Sequence, residues 1–291
     1  MEPNIICLIE THLLEGNNIK VEGYSWYGQN RKLKHIQAER DTGGIGILVK
    51  NSLYEDFNIS IIDKQYERIL AMNFEHKISH VNISVMCTYL PPENSIYGMD
   101  SSSFFSHLIS LTYETMSSDL TLICGDLNAR IGNKCDYIPD IDDIPPRNSI
   151  DDKVNNHGET LIEFLKDVKM CALNGRLTPE LDNYTCISTR GRSIVDYVLV
   201  PHECLRFCKK LEVIPVNSLI DKLRLTQLIS HKSKPPDHSM VIANIMYSYR
   251  CDLEETGKVE QSYTQSTERN ERRRMYCFDT RPQGFMQNKM W

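Results

Sequence analysis

The chain has 291 residues, 41% hydrophobic and 25% charged, with a net charge of −6. These values are those of one large globular domain or two small ones and exclude a fibrous or low-complexity chain, while the acidic balance argues against a surface that holds nucleic acid by uniform positive charge. No apolar run is long enough for a membrane-spanning helix, and the ten cysteines are scattered as buried, reduced thiols rather than spaced as a disulfide framework.

The start, "MEPNIICLIE", has no basic region and no cleavage signature, so an intracellular, non-secreted protein is expected. "NIICLIE" is an Ile-rich apolar run that reads as a buried strand and delivers Glu10 at its end. A polar stretch with Tyr24, Trp26 and Tyr27 follows, then "GGIGILVK", where paired glycines turn the chain into another strand. No helix follows those glycines, which rules out a dinucleotide or phosphate-loop fingerprint.

"RILAMNFEH" and "HVNISVMCTYL" read as consecutive strands, the second ending at Tyr89 ahead of Pro91 and Pro92. "SSSFFSHLISLTYETM" has serine caps and apolar residues three and four apart, the pattern of a helix packed on a sheet. "LTLICGDLNAR" is an apolar strand that stops on Gly125 and presents Asp126 and Asn128. In an extended chain, residues two apart point the same way, so both can converge on one bound object. Turn chemistry alone would also place Asp and Asn around a glycine.

Residues 133–157 are acidic, carry Pro139, Pro145 and Pro146, and predict a long surface loop. A helix, "ETLIEFLKDVKM", comes next, followed by strands at "CALNGR", "YTCIS" and "SIVDYVLV". The last holds Asp196 in mid-run, where a carboxylate is costly unless it has a partner. Acids outnumber bases from Asp119 to Asp182 and bases outnumber acids from Arg190 to Lys234, an asymmetry that suits a cation site beside a polyanion-binding rim. "PPDHSMVIANIMY" then presents Asp237 and His238 ahead of a strand. The chain divides at this level into a domain over 1–247 and a polar tail over 248–291, expected to be disordered or loosely attached, in which "ERNERRR" reads as a solvated charge run.

Polar residues thus stand at or within strand after strand: Glu10, Tyr89, Asp126 with Asn128, Asp196, and Asp237 with His238. In layered α/β folds, side chains at one end of neighbouring strands can converge. The ordered set "IICLIETH", "GGIGILVK", "CTYLPP", "ICGDLNARIG", "NNHGETLIEFL", "SIVDYVLV" and "PDHSMV", over roughly residues 4 to 246, resembles the endonuclease/exonuclease/phosphatase superfamily of metal-dependent phosphodiesterases. Within it, the chain looks most similar to the apurinic-type endonuclease domains of non-LTR retrotransposons.

That resemblance implies an α/β fold, a four-layer α/β sandwich of two packed mixed β-sheets flanked by helices. It implies Glu10 and Asp237 as metal residues for Mg²⁺, with Mn²⁺ as an alternative. Asp126 would deprotonate the attacking water, Asn128 would hold the nucleophile and a phosphate oxygen, Asp196 would orient and charge His238, and Tyr89 would donate to a non-bridging oxygen. The reaction implied is nicking of DNA, gripped by its phosphate backbone, to leave a 3′ hydroxyl and a 5′ phosphate. A reverse transcriptase on another chain is the implied partner, in the nucleus or cytoplasm, with no membrane involved.

Two departures stand out. The superfamily begins with a strand ahead of "IICLIE" that carries an asparagine, and Met1 to Pro3 provide no such strand, which predicts exposed sheet edges and an incomplete metal shell. Proline also occupies the place where a serine commonly precedes the Asp-His pair. The alternatives that remain are a phosphatase of the same fold and a catalytically inactive domain that binds nucleic acid or protein.

Overall fold

The computed structural model describes residues 2–30, 43–95, 100–178, 183–224 and 236–247, and the backbone of 276–281. In chain order the first half gives β1 (Ile5–Ile9), β2 (Tyr24–Gln29), β3 (Ile45–Lys50), α1 (Leu53–Asp56), β4 (Phe57–Asp63), β5 (Ile69–His76), β6 (Asn82–Tyr89), α2 (Ser101–Glu114) and β7 (Leu120–Asp126). The second half gives α3 (Asn156–Asp167), β8 (Met170–Ala172), β9 (Cys186–Ser188), β10 (Gly191–Ser193), β11 (Asp196–Pro201), β12 (Cys208–Ile214), α4 (Val216–Lys222), β13 (Met240–Ile245) and β14 (Tyr276–Arg281). No helix among the described residues is long and apolar enough to cross a membrane.

Two six-stranded mixed sheets form, in the orders β12-β13-β14-β1-β3-β2 and β4-β5-β6-β7-β11-β8, and β9 and β10 make a small separate hairpin. The sheets pack face to face. Ile5, Cys7 and Ile9 of β1 and Ile45, Ile47 and Val49 of β3, alternate residues on one face, share a buried core with Val85 and Cys87 of β6 and Leu122 and Cys124 of β7. The other face of the second sheet, including Met86, Ile123 and Leu199, packs against Phe104, Phe105 and Leu108 of α2 and Leu161, Phe164 and Leu165 of α3. Strands covered on both faces read as continuous apolar runs, which is why β6, β7 and β11 were legible in the sequence.

The sequence reading is corrected in two places. The 133–157 segment has little regular structure but is tied inward rather than lying as a surface loop: Asp136 is fully buried and bonded to Arg176, 2.7 Å from Nη2. Asp151, also buried, accepts 2.9 Å bonds from Arg130 Nε and the Ile194 amide. Its charged residues are the means of docking, since a buried carboxylate must be paired. Second, the expected exposed edges at β1 and β13 are filled. From the polar tail, β14 pairs in parallel with β1, from Ile5↔Phe278 to Leu8↔Arg281, and antiparallel with β13, from Val241↔Thr280 to Ile245↔Tyr276. The rest of the tail lies outside the described residues.

Candidate active site

Strand register assembles the site. β6 runs parallel to β7 with Tyr89 opposite Asp126, and β11 runs antiparallel to β7 with Asp196 opposite Asp126. Directly paired residues share a sheet face, so a phenol and two carboxylates line up across three strands. Gly125 permits this: its φ is +150°, and a Cβ there would collide with the Thr88 carbonyl of β6. Only glycine lets β7 bring Asp126 so close to β6.

Asp126 is buried, at 2% exposure, and its carboxylate folds back on the turn that follows. Oδ1 accepts the Asn128 amide N–H at 2.8 Å and Oδ2 the Asn128 side-chain Nδ2 at 3.0 Å, while that Nδ2 also donates to the Leu90 carbonyl at 2.8 Å. Asn128 adopts φ +44°, a conformation that asparagine tolerates. The pair therefore serves as turn chemistry and as a site at once. Burial, together with the charges of Asp196 and Glu10, holds the Asp126 carboxyl well above the usual carboxylate range, against the pull of His238 and the Asn128 amide.

His238 is pinned by its backbone. The amide of Ile187 donates to the Asp237 carbonyl at 2.7 Å and that of Ser239 to the Thr185 carbonyl at 2.6 Å, so residues 185–187 lock the Asp-His turn against β9. Its Nδ1 donates to the Asp196 carboxylate, 2.9 Å from Oδ2, and its Nε2 faces Asp126 Oδ2 at 3.9 Å. Burial opposes charge on the ring, but the Asp196 carboxylate outweighs it by charge and hydrogen bond, with Cys186 and Asp126 adding to the effect, so the imidazole pKa is raised above its ordinary value and the charged ring is favoured. The partner required for a carboxylate inside "SIVDYVLV" is this ring.

At the end of β1, Glu10 accepts a 2.5 Å hydrogen bond from the Tyr89 hydroxyl. Glu10, Tyr89, Asp126, Asn128, Asp196 and His238 thus form one linked constellation. Asp237 does not join it: the side chain is exposed, and its backbone carbonyl does the anchoring. Atoms of Asp126, Asp196 and His238 lie within 4.8 Å of one another, the spacing of a metal group. With Nδ1 held by Asp196, Nε2 is the ring atom that faces Asp126, so the trio can serve as an ion-paired relay or contribute to a metal site. The carboxylates of Asp126 and Asp196, with Glu10 near enough to act on Asp126 by charge, are hard oxygen donors of the kind a divalent cation takes.

Several supporting residues were not singled out from the sequence. Thr185 Oγ1 accepts the Val195 and Asp196 amides at 2.9 and 3.0 Å, and Asn174 Nδ2 donates to the Asp196 carbonyl at 3.0 Å. Asn155 caps α3 by accepting from Gly158 N at 2.9 Å, accepts from Arg130 N at 2.7 Å, and donates to the Asn128 carbonyl at 2.9 Å. "NNHG" was the available signal. Gly158 is needed because a Cβ would strike the Arg130 carbonyl, so the first turn of α3 abuts the loop that carries Asn128.

No protein-family profile and no curated protein matches the sequence. Solved structures do match the fold. The AP endonuclease LMAP from Leishmania major is 17% identical, covering 73% of this chain and 74% of its own, with a TM-score of 0.55. The 3′ phosphatase NExo from Neisseria, solved with a product DNA hairpin, is 15% identical over 84% of this chain and 90% of its own, with a TM-score of 0.52. The endonuclease domain of TRAS1, a telomere-specific non-LTR retrotransposon, is 16% identical over 77% and 81%, with a TM-score of 0.50. The chain has the endonuclease/exonuclease/phosphatase fold.

Proposed function

We propose that this chain is a divalent-metal-dependent phosphodiester hydrolase that nicks DNA, derived from a non-LTR retrotransposon. The observation that carries this reading is the row Tyr89–Asp126–Asp196, capped by His238 hydrogen-bonded to Asp196. Glu10 would hold the cation, Mg²⁺ or Mn²⁺, with oxygens of Asp126 and Asn128 beside it. Once bound, such an ion offsets negative charge on the phosphate and the leaving oxygen.

The protein's own groups divide the remaining work. Asp126, whose burial and acidic neighbours raise its proton affinity, accepts a proton from the attacking water. Asn128, fixed through its nitrogen to Asp126 and Leu90, turns its carboxamide oxygen to the nucleophile and keeps it in line. His238 sets an imidazolium against a phosphate oxygen, and Asp196 keeps it oriented and charged. Tyr89, tied to Glu10, stabilises charge growing on a non-bridging oxygen.

The endonucleases TRAS1 and LMAP support DNA as the substrate, as does the DNA product bound by NExo. A reverse transcriptase on another chain would use the nicked 3′ hydroxyl as primer. The test is a substrate panel of supercoiled plasmid, a 3′-phosphorylated oligonucleotide and inositol phosphates, each with Mg²⁺ and with EDTA. Metal-dependent nicking lost in Asp126→Ala and His238→Ala is expected. Phosphate release from the oligonucleotide or inositol phosphates without nicking would replace this reading with a phosphatase.

A further inference from the structure

The first sheet holds a strand that local sequence does not place there. β14 lies between β13 and β1, yet residues 246–275 separate it from β13, far more than a hairpin loop requires. β1 and β13 are deeply buried through Ile5, Ile6, Cys7, Val241, Ala243 and Ile245, so the backbone groups on their facing edges need hydrogen-bond partners. Among the described residues, β14 alone supplies them, and it alone joins β12–β13 to β1–β3–β2.

We propose that the gap between β1 and β13 is a strand-binding slot, and that Tyr276–Arg281 occupies it as an exchangeable intramolecular ligand whose seating sets the spacing between Glu10 and His238. β1 leads directly into Glu10, and β13 starts two residues after His238, at the same end of the sheet. With a strand between them, β1 and β13 stand two ladder spacings apart, about 10 Å; paired directly they would stand about 5 Å apart. Seating and withdrawal therefore move the Glu10 end of the site against the His238 end by about one strand width. Recognition is main-chain pairing on both edges, the mode by which sheets capture extended peptides. Tethering gives the segment an effective concentration on the order of millimolar, so modest intrinsic affinity keeps it seated, and a competing strand of the same sequence can displace it.

Capture of the strand stands independently of the hydrolase reading, whereas its consequence for the site rests on it. The full-length protein carrying a protease site between residues 255 and 265 tests both. Before cleavage, amide hydrogen exchange at residues 277–281 is expected to be slowed at least ~10³-fold relative to an unstructured peptide. After cleavage, the carboxy-terminal piece is expected to stay bound and to be displaced saturably by a labelled peptide of residues 274–283. The same peptide with Phe278→Pro, which lacks a ladder N–H, should fail to compete.

Withdrawal of the strand should lower plasmid nicking at least tenfold, and added peptide should restore it. Unprotected amides in the uncut protein would overturn the proposal. So would a fragment that no excess of peptide displaces, one that leaves without changing exchange at residues 5–8, or, in a protein that nicks plasmid, one that leaves without changing the nicking rate. Because capture is read without substrate, a protein that exchanges the strand but nicks nothing sinks only the hydrolase reading.

Discussion

Replacing Asp196 with asparagine removes one charge from the site and little else. The asparagine oxygen can still accept from His238 Nδ1, the backbone N–H still reaches Thr185 Oγ1, and the backbone carbonyl still accepts from Asn174 Nδ2. The fold should survive, with circular dichroism close to wild type and a lowered melting temperature, because a buried ion pair loses one charge. What goes is an ion pair with a 2.9 Å separation, worth about 6 kcal/mol by Coulomb's law at an effective dielectric of about 20, a ceiling of roughly four decades in rate. A neutral hydrogen bond and the charge of Asp126 remain, so we expect nicking to fall about 10²- to 10⁴-fold.

The pH profile carries the sharper signature. In the wild type the His238 pKa is raised by Asp196, so any basic limb from its titration is expected at higher pH than for an ordinary histidine. In Asp196→Asn, burial is opposed by less negative charge, the ring loses its proton at lower pH than in the wild type, and the residual rate should climb as pH falls from 8 to 6. Initial rates of plasmid nicking across that range decide the matter. An Asp196→Asn enzyme with wild-type rates, or one slowed equally at every pH, refutes the claim that this carboxylate keeps the histidine charged.

Asp126→Asn should abolish nicking, and although its NH2 faces an Asn128 donor, the stability of the metal-free variant relative to wild type should gain with pH, because a carboxyl with a raised folded pKa costs stability as pH rises above about 4 through that value. The gain, up to about 1.4 kcal/mol per pH unit in that window, should be larger at pH 8 than at pH 4 in urea unfolding with EDTA. Gly125→Ala forces a methyl group into the Thr88 carbonyl and should cost about 3 kcal/mol or more, visible as a lower urea midpoint. Asn155→Ala loses the α3 cap and two bonds to the 128–130 loop, about 2–4 kcal/mol by thermal unfolding, with a drop in nicking that an exposed cap elsewhere would not cause.

Much of this was legible in the sequence for identifiable reasons. β1, β3, β6, β7 and β11 are buried on both faces and announce themselves as apolar runs, and the polar residues interrupting or ending them, Glu10, Tyr89, Asp126 and Asp196, stood out against that background. β2, β4 and β12 passed unnoticed because half-buried strands with lysine, asparagine or aromatic residues at their exposed positions lack such contrast. The inward anchoring of the acidic loop was hidden because Asp136 and Arg176 lie 40 positions apart and pair only in three dimensions. Asp237 looked like a metal residue from its place beside His238, yet neighbouring residues in an extended turn point apart, and the structure leaves its side chain exposed. β14 was beyond reach: its place depends on main-chain pairing with strands far away in the chain, which a six-residue segment in polar surroundings does not advertise.

The central claim, that Glu10, Tyr89, Asp126, Asn128, Asp196 and His238 make one phosphodiester-cleaving centre, is tested most directly by the initial rate at which purified full-length protein converts supercoiled plasmid to open circles. Mg²⁺ should support nicking that leaves ends a polymerase can extend, and EDTA, Asp126→Ala and His238→Ala should each reduce the rate at least 10²-fold. Nicking that persists in EDTA, or that survives loss of either side chain, would contradict it.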